Sequence, residues 1–367
     1  MKTYLLLHQI SKFMKVDNID YRTIWHDSES DTVKIIDQRL LPFKFQIVEV
    51  DSVAEMAKYI LEMYVRGAGL IGASAAWGIY LAVRENSDIS FINSSAEMLA
   101  KTRPTAVNLQ AALDIMLPQL LAIKQSKRLA LAHKLAQQIS DNDADSCKAI
   151  GKHGYEFIKE KIAKGKEGRI NILTHCNAGW LAFVDYGSAL APIYEAYNNG
   201  MDIHVYVDET RPRNQGARLT AWELGKHGIP HTLIADNVGG HLMQHGMVDM
   251  VIVGADRVAN NGDVANKIGT YLKALAATDN NVPFVVAFPS TTFDSQIKNG
   301  VEDIPIEMRD GNEVLYMQGV SEKEEESFRI APDFTNAVNY GFDVTPARLI
   351  SAYFTERGVF ESMDSYE

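Results

Sequence analysis

Residues 168–183 read GRINILTHCNAGWLAF, and the order of apolar and polar residues in this stretch decides the fold. The apolar run at residues 170–173 stops at Thr174, and the small-residue turn Asn177-Ala178-Gly179 follows. A short apolar run bounded by turn residues is typical of a fully buried β-strand. Cys176 therefore stands directly after a predicted strand, before a segment predicted to be helical.

The same pattern recurs through the second half of the chain, where helical or small-residue segments separate apolar runs. This alternation predicts a parallel sheet buried on both faces and built from strand–helix–strand units. Ligands of such sheets bind beyond the carboxyl ends of the strands. The runs are INILTH, IHVYVDE, HTLIAD, VDMVIVGAD and VPFVVAFP, and the residues at their ends are Cys176, Asp208-Glu209, Asp236-Asn237, Asp256-Arg257 and Ser290-Thr291.

The first 160 residues show a different pattern, mostly helical after a small β start. Residues 32–50 mix β-branched residues with a Leu-Leu-Pro break, which predicts two or three short strands. Ser52 is placed to cap a helix, Ser94 begins a capping pattern, and residues 140–146 (SDNDADS) are predicted to break or cap a helix. We therefore expect a helical domain over 1–160 and a parallel-sheet domain over 161–367, an α/β fold.

Composition limits the functional classes. The 367 residues have a net charge of -11, which argues against a general binder of nucleic acids or anionic membranes. The two cysteines, Cys147 and Cys176, are too few for a disulfide-stapled secreted scaffold. No stretch approaches the ~20 apolar residues of a membrane span, and the start has too short an apolar run for a signal peptide. The expected location is the cytoplasm.

Cys176 and Asp256 are the candidate reactive groups. Helix N-terminal amides lower the pKa of a thiol, so a helix after Cys176 would favour the reactive thiolate. A buried structural cysteine is an equally good interpretation from position alone. Asp256 ends the most apolar run, where desolvation would raise its pKa and suit it to donate a proton. Its alternative role is a helix cap or an ion-pair partner.

The segment after Asp256 predicts a helix capped by Asp263, with Asn266 and Lys267 in its first turn. A lysine at that end of a helix suggests a bound anion, whereas a solvated surface lysine is the common alternative. A second helix is predicted from Thr345, with Pro346 at its first position.

Further cations and polar groups stand in Gly-rich or charged segments. Arg66 precedes a Gly/Ala-rich helix that starts near Gly67 and Ala68, and Gly and Ala permit close packing or a phosphate. Arg103 precedes a helix that Thr105 can cap, and Gln215 lies in the charged loop at 208–224, where it suits a sugar hydroxyl. For each arginine, an ordinary salt bridge is the alternative interpretation.

His241 and His245 have a spacing that fits zinc on one helix face. No third ligand or general-base glutamate accompanies them in the sequence pattern. We therefore favour a structural role for both.

Taken together, these segments resemble the signature blocks of the methylthioribose-1-phosphate isomerases. The blocks run in the family's order from about residue 50 to 360, and the Cys176 and Asp256 blocks are highly specific. They are RGAGLIG (66–72), RPTAVNL (103–109), LTHCNAG (173–179), DETRPRNQGARLTAWEL (208–224), VIVGADRVANNGDVANKIGTY (251–271) and FDVTPARLI (342–350).

The resemblance implies a helical domain followed by a Rossmann-like domain, in a homodimer that needs no cofactor or metal. It implies that the enzyme isomerises a sugar phosphate of methionine salvage, and it makes Cys176 and Asp256 the catalytic pair. The substrate-binding residues that it implies are Arg66, Gly67, Ala68, Arg103, Gln215, Asn266 and Lys267.

The implied reaction converts 5-methylthioribose 1-phosphate to 5-methylthioribulose 1-phosphate. Asp256 would protonate the ring oxygen, and hydrogen would then move from C2 to C1. Either the Cys176 thiolate removes the C2 proton, or a hydride shifts directly while Cys176 stabilises the transition state. The sequence leaves both routes open.

Gly69, Trp180 and Phe183 depart from the commonest family pattern. They resemble a subgroup for which 5-deoxyribose 1-phosphate is a further substrate. The family is also related to regulatory subunits of the translation-initiation exchange factor, so a non-catalytic sensor is the alternative. The third alternative, a ribose 1,5-bisphosphate isomerase, would need a second phosphate site.

Overall fold

The computed structural model describes residues 14–17, 19–103, 106–321 and 325–366. The strands in chain order are β1 (Met14–Val16), β2 (Ile19–Tyr21), β3 (Ile24–Asp27), β4 (Thr32–Ile36), β5 (Ile47–Val50), β6 (Ile170–Thr174), β7 (Ile203–Asp208), β8 (His231–Ile234), β9 (Met250–Val253), β10 (Arg257–Ala259), β11 (Val264–Lys267), β12 (Phe284–Ala287), β13 (Phe293–Asp294), β14 (Met308–Arg309), β15 (Tyr316–Val320), β16 (Glu325–Arg329), β17 (Asn339–Tyr340), β18 (Phe342–Thr345), β19 (Ala352–Thr355) and β20 (Gly358–Phe360).

The helices complete the α/β fold. They are α1 (Val53–Leu61), α2 (Ala68–Glu85), α3 (Ile89–Thr102), α4 (Val107–Leu121), α5 (Gln125–Phe157), α6 (Ala191–Asn198), α7 (Ala221–His227), α8 (Val238–Gln244), α9 (Thr270–Asp279), α10 (Gly300–Asp303) and α11 (Asn312–Leu315).

The first part of the chain is helical after a small β start, as predicted. The predicted strands at 32–50 are β4 and β5, which pair antiparallel next to β3. Ser52 caps α1 by accepting a hydrogen bond from the Glu55 backbone N–H at 3.1 Å. The glycine- and alanine-rich α2 is almost wholly buried and packs against α4 and α5.

Two helix boundaries predicted in this part are wrong. Ser94 lies inside α3, which begins after Asp88, and its hydroxyl donates back to the Phe91 carbonyl. The acidic stretch 140–146 lies inside α5, because Ser140, Ala144 and the residues a turn further on keep a continuous buried face. Burial of that face outweighs the weak helix propensity of the polar residues. The cap predicted at Thr105 lies outside the described residues.

The large sheet confirms the predicted Rossmann-like architecture. Its order is β20-β19-β12-β9-β6-β7-β8, and every pair is parallel except β19–β20. The five predicted apolar runs are β6, β7, β8, β9 and β12. The order reverses between β6 and β9, which makes this the switch point where ligands of open α/β sheets bind.

A second sheet contradicts the helix predicted from Asp263. Its order is β13-β10-β11-β18, and Asn266 and Lys267 lie in strand β11 opposite Asp343 and Phe342 of β18. The Asn261-Gly262 dipeptide between two short strands is in fact a hairpin signal. The helical spacing further on belongs to α9, which begins at Thr270.

The helix predicted from Thr345 is also wrong. Thr345 ends β18, a 3₁₀ turn covers Ala347–Leu349, and the chain re-enters the large sheet as β19. The four residues of β19 are all buried, since this strand lies between β12 and β20. Burial in the sheet therefore decides the conformation, rather than the capping residues.

Separate hydrophobic clusters fill the helical part and the two faces of the large sheet. Met14, Val16 and Ile36 of the β start pack with the sheet rather than with the helices. The division between residues 160 and 161 stays a prediction. In the described ranges, no helix is both long and apolar enough to cross a membrane.

Candidate active site

A cavity of about 860 Å³ opens beyond the carboxyl ends of β6 and β9. This volume suits a small-molecule ligand. The structure brings every predicted site residue to the wall of this cavity. They are Arg66, Gly67, Ala68, Arg103, Cys176, Gln215, Asp256, Asn266 and Lys267.

Cys176 is held in a strained backbone conformation at the end of β6. Its φ of 65° is in the left-handed region, which non-glycine residues adopt mainly where the surrounding structure enforces it. The Cys176 N–H donates to the Thr210 Oγ1 at 2.8 Å, and the Thr220 hydroxyl donates to the Cys176 carbonyl at 2.6 Å. The two threonines therefore fix the direction of the thiol.

The helix expected directly after Cys176 is absent from this described segment, where a three-residue 3₁₀ turn at Trp180–Ala182 lies instead. Burial raises the pKa of the Cys176 thiol, although Arg66 and Lys267 act in the opposite direction. The predicted activation by helix amides is thus wrong, and the neutral thiol is the resting form near pH 7.

Asp256 follows β9 on the neighbouring strand, and its backbone N–H pairs with the Ala265 carbonyl at 2.9 Å. Burial of the carboxyl group is the largest effect on its pKa and raises it. The charges of Lys267, Arg66 and Arg103 oppose this shift. The Asp256 carboxyl group therefore stays protonated up to a higher pH than that of an exposed aspartate, which suits it to donate a proton.

Lys267 connects the two candidate reactive groups. Its ammonium donates to the Gly341 carbonyl at 2.8 Å and lies 4.5 Å from the centre of the Phe342 ring. Burial lowers the pKa of Lys267, whereas the neighbouring Cys176 and Asp256 side chains act in the opposite direction. A buried ammonium facing a thiol and a carboxyl group can stabilise negative charge on either group or on a ligand.

Arg66 is oriented by Asn177, the residue that follows Cys176. Its guanidinium donates to the Asn177 side-chain oxygen at 2.5 Å and to the Asn177 carbonyl at 2.7 Å. Asn177 in turn donates to the buried Glu223 carboxylate at 2.6 Å, which also accepts from the Tyr194 hydroxyl. The sequence does not reveal this supporting chain, because Glu223 and Tyr194 lie on α7 and α6, far from Arg66 in the sequence.

Several polar atoms at the cavity have no hydrogen-bond partner among the described residues. They include the Arg103 Nε and the Gln215 Oε1. Glu307, an ion-pair partner that the sequence does not reveal, lies 3.7 Å from the Arg103 guanidinium. Buried polar atoms are rarely left unsatisfied, so these atoms indicate where a polar ligand binds.

Gly67 and Ala68 are at the N-terminus of α2, where no side chain caps the helix. The free amides of a helix N-terminus attract anions. Together with Arg66, Arg103 and Lys267, they make one side of the cavity strongly favourable for a phosphate.

Phe183 lines the cavity, whereas Trp180 is buried against Trp222 in the core of the sheet. Of these two departures from the family pattern, Phe183 is therefore placed to contact a ligand, and Trp180 is not. His241 and His245 lie beside each other at the exposed end of α8, and no carboxylate or cysteine completes a metal site with them in the described ranges.

One group in the described ranges has metal-compatible spacing, namely His175, Asp208 and Asp236. The Lys273 ammonium, however, lies 3.0 Å from an Asp208 carboxylate oxygen. The group is therefore an ion-pair network that already contains a cation.

The sequence profile of the Initiation factor 2 subunit family matches residues 64–362. A methylthioribose-1-phosphate isomerase of Gluconobacter oxydans (strain 621H) is 53% identical over 348 residues, which cover 94% of this chain and 95% of that protein.

Two solved structures share the fold along nearly the whole chain. The crystal structure of 5-methylthioribose 1-phosphate isomerase from Pyrococcus horikoshii OT3 superposes with a TM-score of 0.81 at 37% identity, covering 96% of this chain and 94% of that chain. The translation initiation factor eIF-2B, subunit delta, from A. fulgidus has a TM-score of 0.78 at 39% identity, covering 93% of this chain and 96% of that one.

Proposed function

Since the chain belongs to the Initiation factor 2 subunit family, and within it to the methylthioribose-1-phosphate isomerases, we propose how its cavity performs that isomerisation. The reaction is an aldose–ketose isomerisation of 5-methylthioribose 1-phosphate to 5-methylthioribulose 1-phosphate. One observation supports the assignment most: Cys176 and Asp256 end neighbouring strands and line one cavity with a buried Lys267. We assign the catalytic roles to this pair.

The phosphate binds at the cationic side of the cavity. The α2 N-terminus, Arg66, Arg103 and Lys267 supply positive charge there, and Asn266 and Gln215 supply hydrogen bonds to the sugar. The free Arg103 Nε and Gln215 Oε1 gain partners when the sugar phosphate binds. Several cations in a poorly solvated cavity cost desolvation free energy, and the dianionic phosphate of the substrate offsets this cost.

Ring opening needs an acid because the substrate is a glycosyl phosphate. The protonated Asp256 donates its proton to the ring oxygen, and the bond between C1 and that oxygen breaks. The raised pKa of Asp256 keeps the group protonated nearer to neutral pH. Lys267 stabilises the Asp256 carboxylate that forms.

Hydrogen then moves from C2 to C1, and the raised pKa of the Cys176 thiol favours the hydride route. A neutral thiol is a poor base, so removal of the C2 proton by a resting thiolate is disfavoured. In the hydride route, the C2 hydrogen migrates with its electron pair to the electron-poor C1. The 2-hydroxyl then loses its proton to the Asp256 carboxylate, which restores the acid and leaves a ketone at C2.

The sugar's 5-substituent lies against the apolar wall, which includes Ile71, Val107 and Phe183. This wall suits a methylthio group, and it also accepts the smaller 5-deoxyribose 1-phosphate. The non-catalytic sensor receives no support from the site, because both reactive groups are present and face the cavity. We retain the homodimer and the cytoplasm as proposals.

The test is turnover of 5-methylthioribose 1-phosphate by Cys176→Ala and Asp256→Asn. We expect each variant to lower kcat by a hundred-fold or more, in the range for loss of a catalytic acid or an electrostatic stabiliser. Wild-type activity should fall as pH rises through the raised pKa of Asp256, since the carboxylate cannot protonate the ring oxygen.

Matched controls separate catalysis from folding. Cys147→Ala removes the other buried cysteine, and Asp279→Asn removes an exposed carboxylate at the end of α9. Both controls should retain activity. Full activity in the Cys176 and Asp256 variants would refute the assignment of the pair.

A further inference from the structure

His175 precedes Cys176 at the cavity wall, and its side chain is completely buried. Its Nδ1 lies 2.9 Å from an Asp208 carboxylate oxygen, and its Nε2 lies 2.8 Å from the Ile268 carbonyl oxygen. Its side chain has no exposed surface, nor does that of Asp208. Both ring nitrogens therefore face acceptors, and neither has access to water.

The contacts assign one of the two ring nitrogens. A carbonyl oxygen can only accept, so the His175 Nε2 carries a proton and donates to the Ile268 carbonyl. The Asp208 oxygen that faces Nδ1 also forms an ion pair with the Lys273 ammonium at 3.0 Å. The imidazole therefore joins this ion pair to the chain at Ile268.

Charged groups from several elements surround the ring. Asp208 ends β7, Lys273 lies on α9, and Asp236 follows β8 with an oxygen 3.9 Å from the His175 Nδ1. Asp343 of β18 accepts hydrogen bonds from the backbone N–H groups that follow Ile268, at Gly269 and Tyr271. Three carboxylates thus surround the imidazole and one ammonium.

The imidazole also determines the path of the chain after Lys267. Ile268, whose carbonyl it binds, is the next residue, and Gly269 follows with a φ of 101°. A Cβ on Gly269 would lie 3.2 Å from the His175 ring. The ring is thus packed directly against the turn that ends β11, and it links this turn to the end of β6.

We propose that His175 is a positioning residue that fixes Lys267 relative to Cys176 and Asp256. The inference rests on the proposed function of those three residues. A side chain that cannot bridge Asp208 and Ile268 would leave the Ile268 carbonyl without its donor. The end of β11 would then shift, and the Lys267 ammonium would move with it.

The buried bond to Ile268 is tested on the whole wild-type chain by nitrogen NMR of ¹⁵N-histidine-labelled protein. We expect one of the ten histidines to show a slowly exchanging Nε2–H signal, because this donor is buried against a carbonyl. Loss of that signal in His175→Gln assigns it. The absence of any slowly exchanging ring N–H overturns the proposal, and this result needs no variant.

The positioning role is tested in His175→Gln with His241→Gln as the matched exposed control. We expect kcat to fall at least ten-fold in His175→Gln, and the apparent pKa for alkylation of Cys176 by iodoacetamide to rise by about one unit as Lys267 moves away. His241→Gln should match the wild type in both measurements. A merely structural role would reduce the folded amount but leave the alkylation profile of the folded protein unchanged.

The outcomes separate this proposal from the proposed function. If Cys176→Ala and Asp256→Asn stay active, the proposed function fails, while NMR still reports the hydrogen bond from His175 to Ile268. If both are inactive while His175→Gln has the wild-type kcat and alkylation profile, the positioning role alone fails.

Discussion

At the scale of single residues, the environment of Cys176 decides which chemistry the thiol performs. Two threonines hold its backbone in the left-handed region, and burial raises its pKa. Position in the sequence suggested activation by a helix N-terminus, which would favour a thiolate base. The structure instead surrounds a neutral thiol with Lys267 and Arg66, an arrangement that stabilises developing negative charge.

A neutral Cys176 thiol, rather than a thiolate base, predicts where the hydrogen at C2 goes. With substrate deuterated at C2, a direct hydride shift transfers the label to C1 of the product, because no solvent-exchangeable base accepts it. We therefore expect nearly complete retention, measured by proton NMR or mass spectrometry of the product. In the complementary experiment in ²H₂O, incorporation of solvent deuterium at C1 would contradict the hydride route.

At the scale of elements, the segment between β6 and α6 is fixed by buried carboxyl groups from several sides. Asp185 is fully buried, and one oxygen accepts hydrogen bonds from the backbone N–H groups of Met14 and Tyr186. Its other oxygen has no partner in the described part of the chain. Burial raises the pKa of Asp185 to about 7.

This shift predicts a pH-dependent gain of stability in Asp185→Asn. In the folded wild type Asp185 holds a proton that the unfolded chain releases near pH 4, so the contribution of Asp185 to stability falls as pH rises from about 4 to 7. Asparagine removes this loss. The gain should be small at pH 4 and reach up to about 4 kcal/mol above pH 7.

Urea unfolding of the wild type and Asp185→Asn at pH 4 and pH 8 checks this expectation. Asp279→Asn, at an exposed carboxylate, is the control and should change stability little at either pH. An equal effect of Asp185→Asn at both pH values would show that burial does not shift its titration.

At the scale of the whole molecule, the cavity combines residues from distant parts of the chain. Arg66 and Arg103 come from the helical part, whereas Cys176, Asp256 and Lys267 come from the two sheets. The surface beyond the cavity also exposes large apolar side chains between residues 301 and 340. These include Ile330, Phe334 and Val338, of which Phe334 is 89% exposed. Such exposure is typical of surfaces that contact another chain.

The expected homodimer is checked by light scattering coupled to size-exclusion chromatography. We expect a mass of about twice the 40.8 kDa of one chain at micromolar concentration. A mass of one chain under the same conditions would contradict the homodimer.

The sequence by itself determined the parallel sheet and the position of its reactive edge. Apolar runs such as those ending at Cys176 and Asp256 are long and regular enough to identify buried strands, and the ends of parallel strands meet at one edge. The family resemblance then predicted that cations of the helical part bind the substrate. None of this required knowledge of distant contacts.

Only the tertiary structure decided the conformation around Lys267 and the chain of contacts behind Arg66. Strand β11 has four residues, and it is a strand because β18, some 75 residues later, pairs with it. Glu223 supports Arg66 through Asn177, in two contacts that span 46 and 111 residues of the sequence. The protonation of Cys176 also depends on how completely the folded chain buries it. Short elements and pKa values are both set by partners that the local sequence does not specify.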